Sequence, residues 1–246
     1  MSANLAAITL TSCLAVFAHA QDRPPSQPSS GQPPDTQPQI VVIEAVRTPL
    51  SIKLDSFVRG IEAFKAGRHR APNAKLRFVF WSSRQNVGPL RLWLERAEVR
   101  TPIDVDYHGE FSIPIDSPGM IAESTLVVNR EIGSDKIRPV VRTNGFEGDD
   151  RRLGDLRLEC SVLWEMEKES LSLFARAAFG AVGGACASSR VAFSFPSARK
   201  ILYGRVLDGD LTADVKVLQE GRGYWPPMHD LTLEDNAVVQ FTFADA

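Results

Sequence analysis

Motifs that carry chemistry are what this chain has least of. Its three cysteines, Cys13, Cys160 and Cys186, form no Cys-x-x-Cys pair, and its four histidines lie far apart, so neither a dithiol redox centre nor a zinc-type ligand set is spelled out locally. No Gly-x-Ser-x-Gly elbow, His-Glu-x-x-His helix or Gly-Lys-Ser/Thr loop occurs, which excludes the local signatures of an α/β-hydrolase, a zincin and a P-loop NTPase. No apolar run reaches the roughly 20 residues that a bilayer-spanning helix needs. Asn-x-Ser/Thr glycosylation acceptors are missing as well. A net charge of -2 lends no support to nucleic-acid binding. The residues alone assign no metal, no cofactor and no catalytic group.

What the chain does have begins at its N-terminus. Residues 5 to 18 are uncharged and largely apolar, and Phe17-Ala18-His19-Ala20 places small residues where a signal peptidase reads them. Residues 1–20 are therefore expected to be an export signal, cleaved after Ala20. Leu10-Thr11-Ser12-Cys13 offers the alternative of a lipobox, with lipid anchoring through Cys13. Residues 21–39 follow as a tether, because the six prolines between Asp22 and Gln39, mixed with Ser, Gln and Gly, favour extended and solvated backbone. Loss of the leader leaves Cys160 and Cys186, an even pair in an oxidising compartment, and these are expected to be joined. Closing that loop would stabilise the fold by roughly 3 kcal/mol in the chain-entropy model.

Periodicity over the remainder predicts an α+β, β-rich fold of antiparallel sandwich-like sheets with one or two helices. Phe57, Ile61 and Phe64 recur at helical spacing, which marks a helix over residues 56–66 with Asp55 or Ser56 as its cap and Gly67 as its stop. Strands are expected over residues 40–46, 76–81, 90–95, 125–129, 137–143, 191–195, 202–207, 215–219 and 238–243. Ile103, Val105 and Tyr107 alternate toward His108-Gly109, and Phe111, Ile113 and Ile115 alternate away from it, which predicts a β-hairpin. Leu156, Leu158, Cys160, Val162 and Trp164 alternate as one face of a strand would, and residues 165–179 favour a helix broken by Gly180, Gly183 and Gly184. The polar loop 144–152 divides an N-terminal β-rich domain, 40–143, from a C-terminal α+β domain, 153–246, unless the two run on as one.

The segment Pro102-Ile103-Asp104-Val105-Asp106-Tyr107-His108-Gly109-Glu110-Phe111-Ser112-Ile113-Pro114 resembles the prealbumin-like sandwich of carboxypeptidase regulatory-like domains. Repeats of that family end in an extended segment, an Asp and Gly turn, and an aromatic-x-aliphatic-Pro strand. The resemblance covers about residues 73 to 130 and implies a noncatalytic stabilising or binding module.

Two short patterns point to duller roles. Asp104, Asp106 and His108 would share one side of a strand, but Ile115 stands where a calcium loop needs its bidentate Glu. Gly180 to Gly184 follow a helix instead of leading into one, so they read as a helix terminator and not as a phosphate cradle. Charge is the stronger lead. Residues 58–100 hold ten Lys or Arg against three Glu, a net +7, whereas residues 207–246 hold eight acids against two bases, a net -6. Arg68, Arg70, Arg77 and Arg91 are thus candidate contacts to an anionic envelope polymer or a protein partner. Tyr224 and Trp225, in a stiff Pro-flanked loop, are candidate aromatic anchors. The function expected is exported, noncatalytic binding or scaffolding in the cell envelope. The alternative is a periplasmic hydrolase whose residues converge only on folding.

Overall fold

The computed structural model describes residues 50–81, 89–114, 123–129, 136–146, 149–181, 184–189 and 193–244. All of them belong to one unit, Ala45–Ala246. The expected signal, the tether, the strand at 40–46, and Ile115 and Gly183 lie outside the described residues.

The alternating strands of the first half pair into two antiparallel sheets. One is ordered β1-β6-β3-β4, from β1 (Leu50–Lys53), β3 (Leu92–Arg96), β4 (Val99–Ile103) and β6 (Thr125–Val128). The other is ordered β5-β2-β7, from β2 (Ala74–Trp81), β5 (Glu110–Phe111) and β7 (Lys136–Thr143). The helix α1 (Asp55–Ala66) completes this layer by burying Phe57, Ile61 and Phe64. Phe57 meets Phe78 edge-on at 5.0 Å, and Leu92, Phe111, Leu126 and Val128 fill the same core.

Neither Asp55 nor Ser56 caps α1. Leu54 occupies the cap position and no side chain accepts from the first turn, because Leu54 is itself drawn into the core at 1% exposure. Gly67 does end the helix, but at φ -87°, which any residue tolerates. A Cβ there would come within 2.6 Å of Leu158 Cδ1, so that side chain would have to shift to admit one. The expected hairpin around Gly109 shrinks to a single bridge, Val105 opposite Phe111. Gly109 takes the left-handed turn at φ 78°, but the chain before the turn pairs with β3 and the chain after it pairs with β2.

The second half builds two more sheets. The larger is ordered β11-β10-β14-β8, from β8 (Arg151–Arg152), β10 (Ile201–Asp208), β11 (Leu211–Asp214) and β14 (Val238–Phe243). The smaller is ordered β12-β13-β9, from β9 (Phe195–Pro196), β12 (Lys216–Leu218) and β13 (Gly223–Trp225). Phe195, Ile201, Val206, Val215, Tyr224 and Val239 meet between them as a second core.

A helix, not a strand, joins the two cores. Residues Leu153–Glu167 form α2, which corrects the strand expected at 156–164. The reason is geometric: two residues along a helix turn the side chain by about 200°, so alternating apolar residues also populate two opposite helix faces. Leu156 and Cys160 enter the second core, while Leu158 and Val162 enter the first. The helix expected over 165–179 is likewise two pieces. A 3-10 turn, Lys168–Ser170, separates α2 from α3 (Leu173–Ala181), and the Ser172 hydroxyl accepts from Ala175 N at 3.2 Å to cap the new helix. The architecture is α+β and β-rich, with three α-helices among the described residues.

Candidate functional site

Several arginines of the basic segment have acidic or carbonyl partners. Arg70 pairs with Asp235 at 3.7 Å, so the cationic and anionic segments meet each other. Arg77 is held by Asp106 at 2.9 Å and by Glu110 at 3.4 Å. Arg68 lies over the Phe64 ring at 5.3 Å and donates to Pro72 O. Arg91 is exposed at the start of β3, and its backbone N–H donates to Asn129 Oδ1 at 3.0 Å. Arg96 and Arg100 pair with Glu123 and Glu95. Arg68 and Arg70 share one 3-10 turn, Arg77 lies in β2 and Arg91 just before β3, and Arg70 and Arg77 each have a carboxylate within reach.

The two aromatics expected in a loop lie in the strand β13. Tyr224 is 4% exposed and stacks on Phe195 with centroids 5.4 Å apart, so its ring belongs to the second core and is not a surface anchor. Trp225 is half-buried, with Lys216 Nζ 5.6 Å from its ring centroid.

Sequence reasoning missed the densest polar cluster, which sits where β8 leads into α2. Residues 151–160 are all buried, although Arg151, Arg152, Asp155, Arg157 and Glu159 are among them. Arg151 Nη2 donates to Glu159 Oε2 at 2.7 Å and to Val141 O at 3.0 Å. The same Glu159 oxygen accepts from Val141 N at 2.9 Å. Burial, the largest single influence, would lower the Arg151 pKa, but Glu159, Tyr224 and Asp155 together outweigh it and raise the value, so the guanidinium stays charged. Asp155 accepts from Thr143 N and Oγ1, both at 2.7 Å. Arg152 donates to Asn236 and to the Arg70 carbonyl. Arg157 donates to Met228 O, Asp230 O, Leu233 O and Asp235 Oδ1, which fixes the loop from 226 to 237. Every charge here is bound to backbone or to an opposite charge. The cluster is a clamp between the two cores, and the alternation of Arg, Asp and Glu inside an apolar helix is the signal that would have found it.

Cys160 and Cys186 are bonded, with Cα atoms 5.9 Å apart. The bond ties the middle of α2 to a turn beyond α3, and Cys160 is fully buried. A buried disulfide is compatible with an oxidising, exported setting. Between the two cysteines, α3 packs Phe179 on Trp164 at 5.0 Å and turns Leu173 and Phe174 outward, at 76% and 85% exposure.

Asp106 has both carboxylate oxygens occupied. Oδ1 accepts from His108 N and Glu110 N, each at 2.9 Å, while Oδ2 holds Arg77. Among the described residues no group of three His, Cys, Asp or Glu could hold a metal ion, and no helix is long and apolar enough to cross a membrane. Ser197 and Lys200 share a Ser-x-x-Lys spacing, but the Ser197 hydroxyl donates to Arg199 O at 2.6 Å.

One solvent-open surface combines groups able to grip a ligand. Along β10 the inward residues are Ile201, Gly204 and Val206, and a register shift between Ile201 and Tyr203 turns Leu202, Tyr203 and Arg205 outward. Gly204 fits closely there, since a Cβ would stand 3.0 Å from the Phe241 ring and 3.1 Å from Val215 Cβ. Arg205 lies directly opposite Gln240 on one side and Asp214 on the other, and Tyr203 lies opposite Thr242. Asp150, Tyr203, Arg205, Gln240, Phe241 and Thr242 line a cleft of about 440 Å³. The Tyr203 hydroxyl donates to Asp214 Oδ1 at 2.8 Å, a bond that raises the phenol above its ordinary pKa and holds the ring in place. Compared with family models, curated proteins and solved structures, the chain matches none of them.

Proposed function

We propose that this chain is an exported, noncatalytic binding protein of the cell envelope, working in the periplasm or outside the cell, and that the outer face of the β10–β14 sheet is its binding surface. The observation that supports this most directly is the cleft of Asp150, Tyr203, Arg205, Gln240 and Thr242, where an aromatic ring and unburied donors and acceptors stand together on rigid strands. The disulfide and the buried clamp behind the sheet suit a platform that keeps its shape without a chaperoned interior. The prealbumin-like resemblance of residues 73–130 belongs to the same reading, because modules of that kind stabilise or bind.

The test is co-sedimentation of the oxidised protein, produced in an exporting host, with isolated envelope material. Retention is expected in the wild type and in an Arg68→Ser/Arg91→Ser variant, and is expected to be lost in Tyr203→Ala/Arg205→Gln. Loss in the Arg68/Arg91 variant alone would move the function to the basic segment, and absence of retention in the wild type would overturn the reading.

A further inference from the structure

The charge balance of the β10–β14 face says which kind of ligand it suits. The charged residues lining the cleft are one cation, Arg205, and one carboxylate, Asp150, with Asp214 opposite Arg205 on the neighbouring strand, so the cleft carries no net positive charge. A polyanion brought to this face would find no net positive charge to offset the loss of its hydration.

Neutral hydroxyl groups face no such penalty. A hydroxyl both donates and accepts, and this cleft offers both partners at close range. Asp150 and Asp214 accept. Arg205 donates through a planar fork, Gln240 does both through its amide, and Thr242 does both through its hydroxyl. Planar guanidinium, amide and carboxylate groups reach two adjacent hydroxyls at once, the spacing found around a sugar ring. Tyr203 adds the remaining element. It is 46% exposed, and its hydroxyl is committed to Asp214, so the ring is held with apolar surface open to solvent. Such a ring covers the C–H face of a saccharide while the rim groups bind its hydroxyls. The strands continue past the cleft in both directions, and the surface is open instead of enclosed, which suits a stretch of polymer better than a free monosaccharide.

We infer that the outer face of the β10–β14 sheet binds a neutral polysaccharide, stacking a sugar ring on Tyr203 and holding its hydroxyls with Arg205, Gln240, Thr242, Asp150 and Asp214. This rests on reading that face as the binding surface, as proposed above.

The experiment is affinity electrophoresis of the oxidised full chain in gels containing dextran, hydroxyethylcellulose or polygalacturonate, at low and at high salt. At least one of the two neutral glucans is expected to retard the wild type equally at both salt concentrations. Tyr203→Ala and Gln240→Ala are expected to weaken that retardation at least about tenfold, a change of about 1.4 kcal/mol. All these residues lie at the surface, and near-ultraviolet circular dichroism of each variant distinguishes lost contacts from lost fold. Retardation by polygalacturonate alone, abolished by salt and by Arg205→Gln, would overturn the neutral class while leaving the face as the binding surface. Retention by envelope material that depends on Tyr203, with no gel polymer retarding the protein, would also overturn the inference alone. Absence of both would overturn the inference together with the binding reading.

Discussion

Arg151 and Glu159 meet at 2.7 Å with each side chain only 9% exposed, in the seam between two hydrophobic cores. An ion pair so placed stabilises little relative to apolar residues of the same volume, because both charges have lost their water. Breaking it is a different matter. Glu159→Leu or Arg151→Met alone is expected to cost about 3–5 kcal/mol, since each leaves an uncompensated buried charge, while the double variant recovers much of that loss. Urea titration of the three variants measures it; simple addition of the two single losses in the double would refute the coupling.

Tyr224 makes stability fall in alkali. Burial raises its phenol above the ordinary value near 10, so the folded chain keeps the proton after the unfolded chain has released it. That contribution is fully present below about pH 10 and is lost as pH rises through the folded value, with a slope approaching about 1.4 kcal/mol per pH unit for one proton. Tyr224→Phe should flatten the decline above about pH 10, as read from urea midpoints at stepped pH. An unaltered decline would show that other groups govern it.

Gly154 and Gly60 both stand in tight contacts, but the neighbours differ. A Cβ on Gly154 would meet Arg70 O at 2.5 Å and Asp235 O at 2.8 Å, which are backbone atoms, whereas one on Gly60 would meet Met166 Cγ at 2.6 Å, part of a flexible side chain. Gly154→Ala is expected to cost about 2–3 kcal/mol and Gly60→Ala clearly less, measured by thermal unfolding. Equal losses would mean that the backbone around Gly154 yields as easily as a methionine.

The Cys160–Cys186 bond spans 26 residues of sequence separation, for which the chain-entropy model gives about 3.5 kcal/mol. Cys160→Ala/Cys186→Ala should lower the urea midpoint accordingly without changing the strand signal in circular dichroism. Loss of that signal would show that the bond is needed to form the fold and not only to hold it.

Phe174 offers the converse case. At 85% exposure its ring contributes little to the packed interior, so Phe174→Ser should change stability by less than about 0.5 kcal/mol while lowering the protein's tendency to associate at high concentration. A large fall in melting temperature would show that the outward face of α3 is covered in solution.

Several strands with one wet face were legible, although β11 was not expected. Leu202 to Leu207 and Val238 to Phe243 alternate and lie in β10 and β14 almost as expected, and the pairing of Cys160 with Cys186 followed from arithmetic on the cysteines. Failure came where both sides were dry. In α2 the residues Leu156, Leu158, Cys160 and Val162 serve two cores, and a helix with two apolar faces imitates the period of a strand. Tyr224 misled for a related reason, since a Pro-rich loop says that the chain turns but not which way the ring before it points. The β10–β14 face carried no motif at all. Tyr203 and Arg205 come within reach of Gln240 and Thr242 only through strand pairing, which one-dimensional spacing does not encode.

A helix that is read from two sides has no freedom to slip. Each added residue in α2 would turn everything beyond it by about 100°. One inserted residue between Leu156 and Leu158 would therefore send Cys160 away from Cys186 and Val162 away from the first core in the same stroke. The stretch from Arg151 to Met166 thus acts as the protein's ruler: the number of residues in it cannot change.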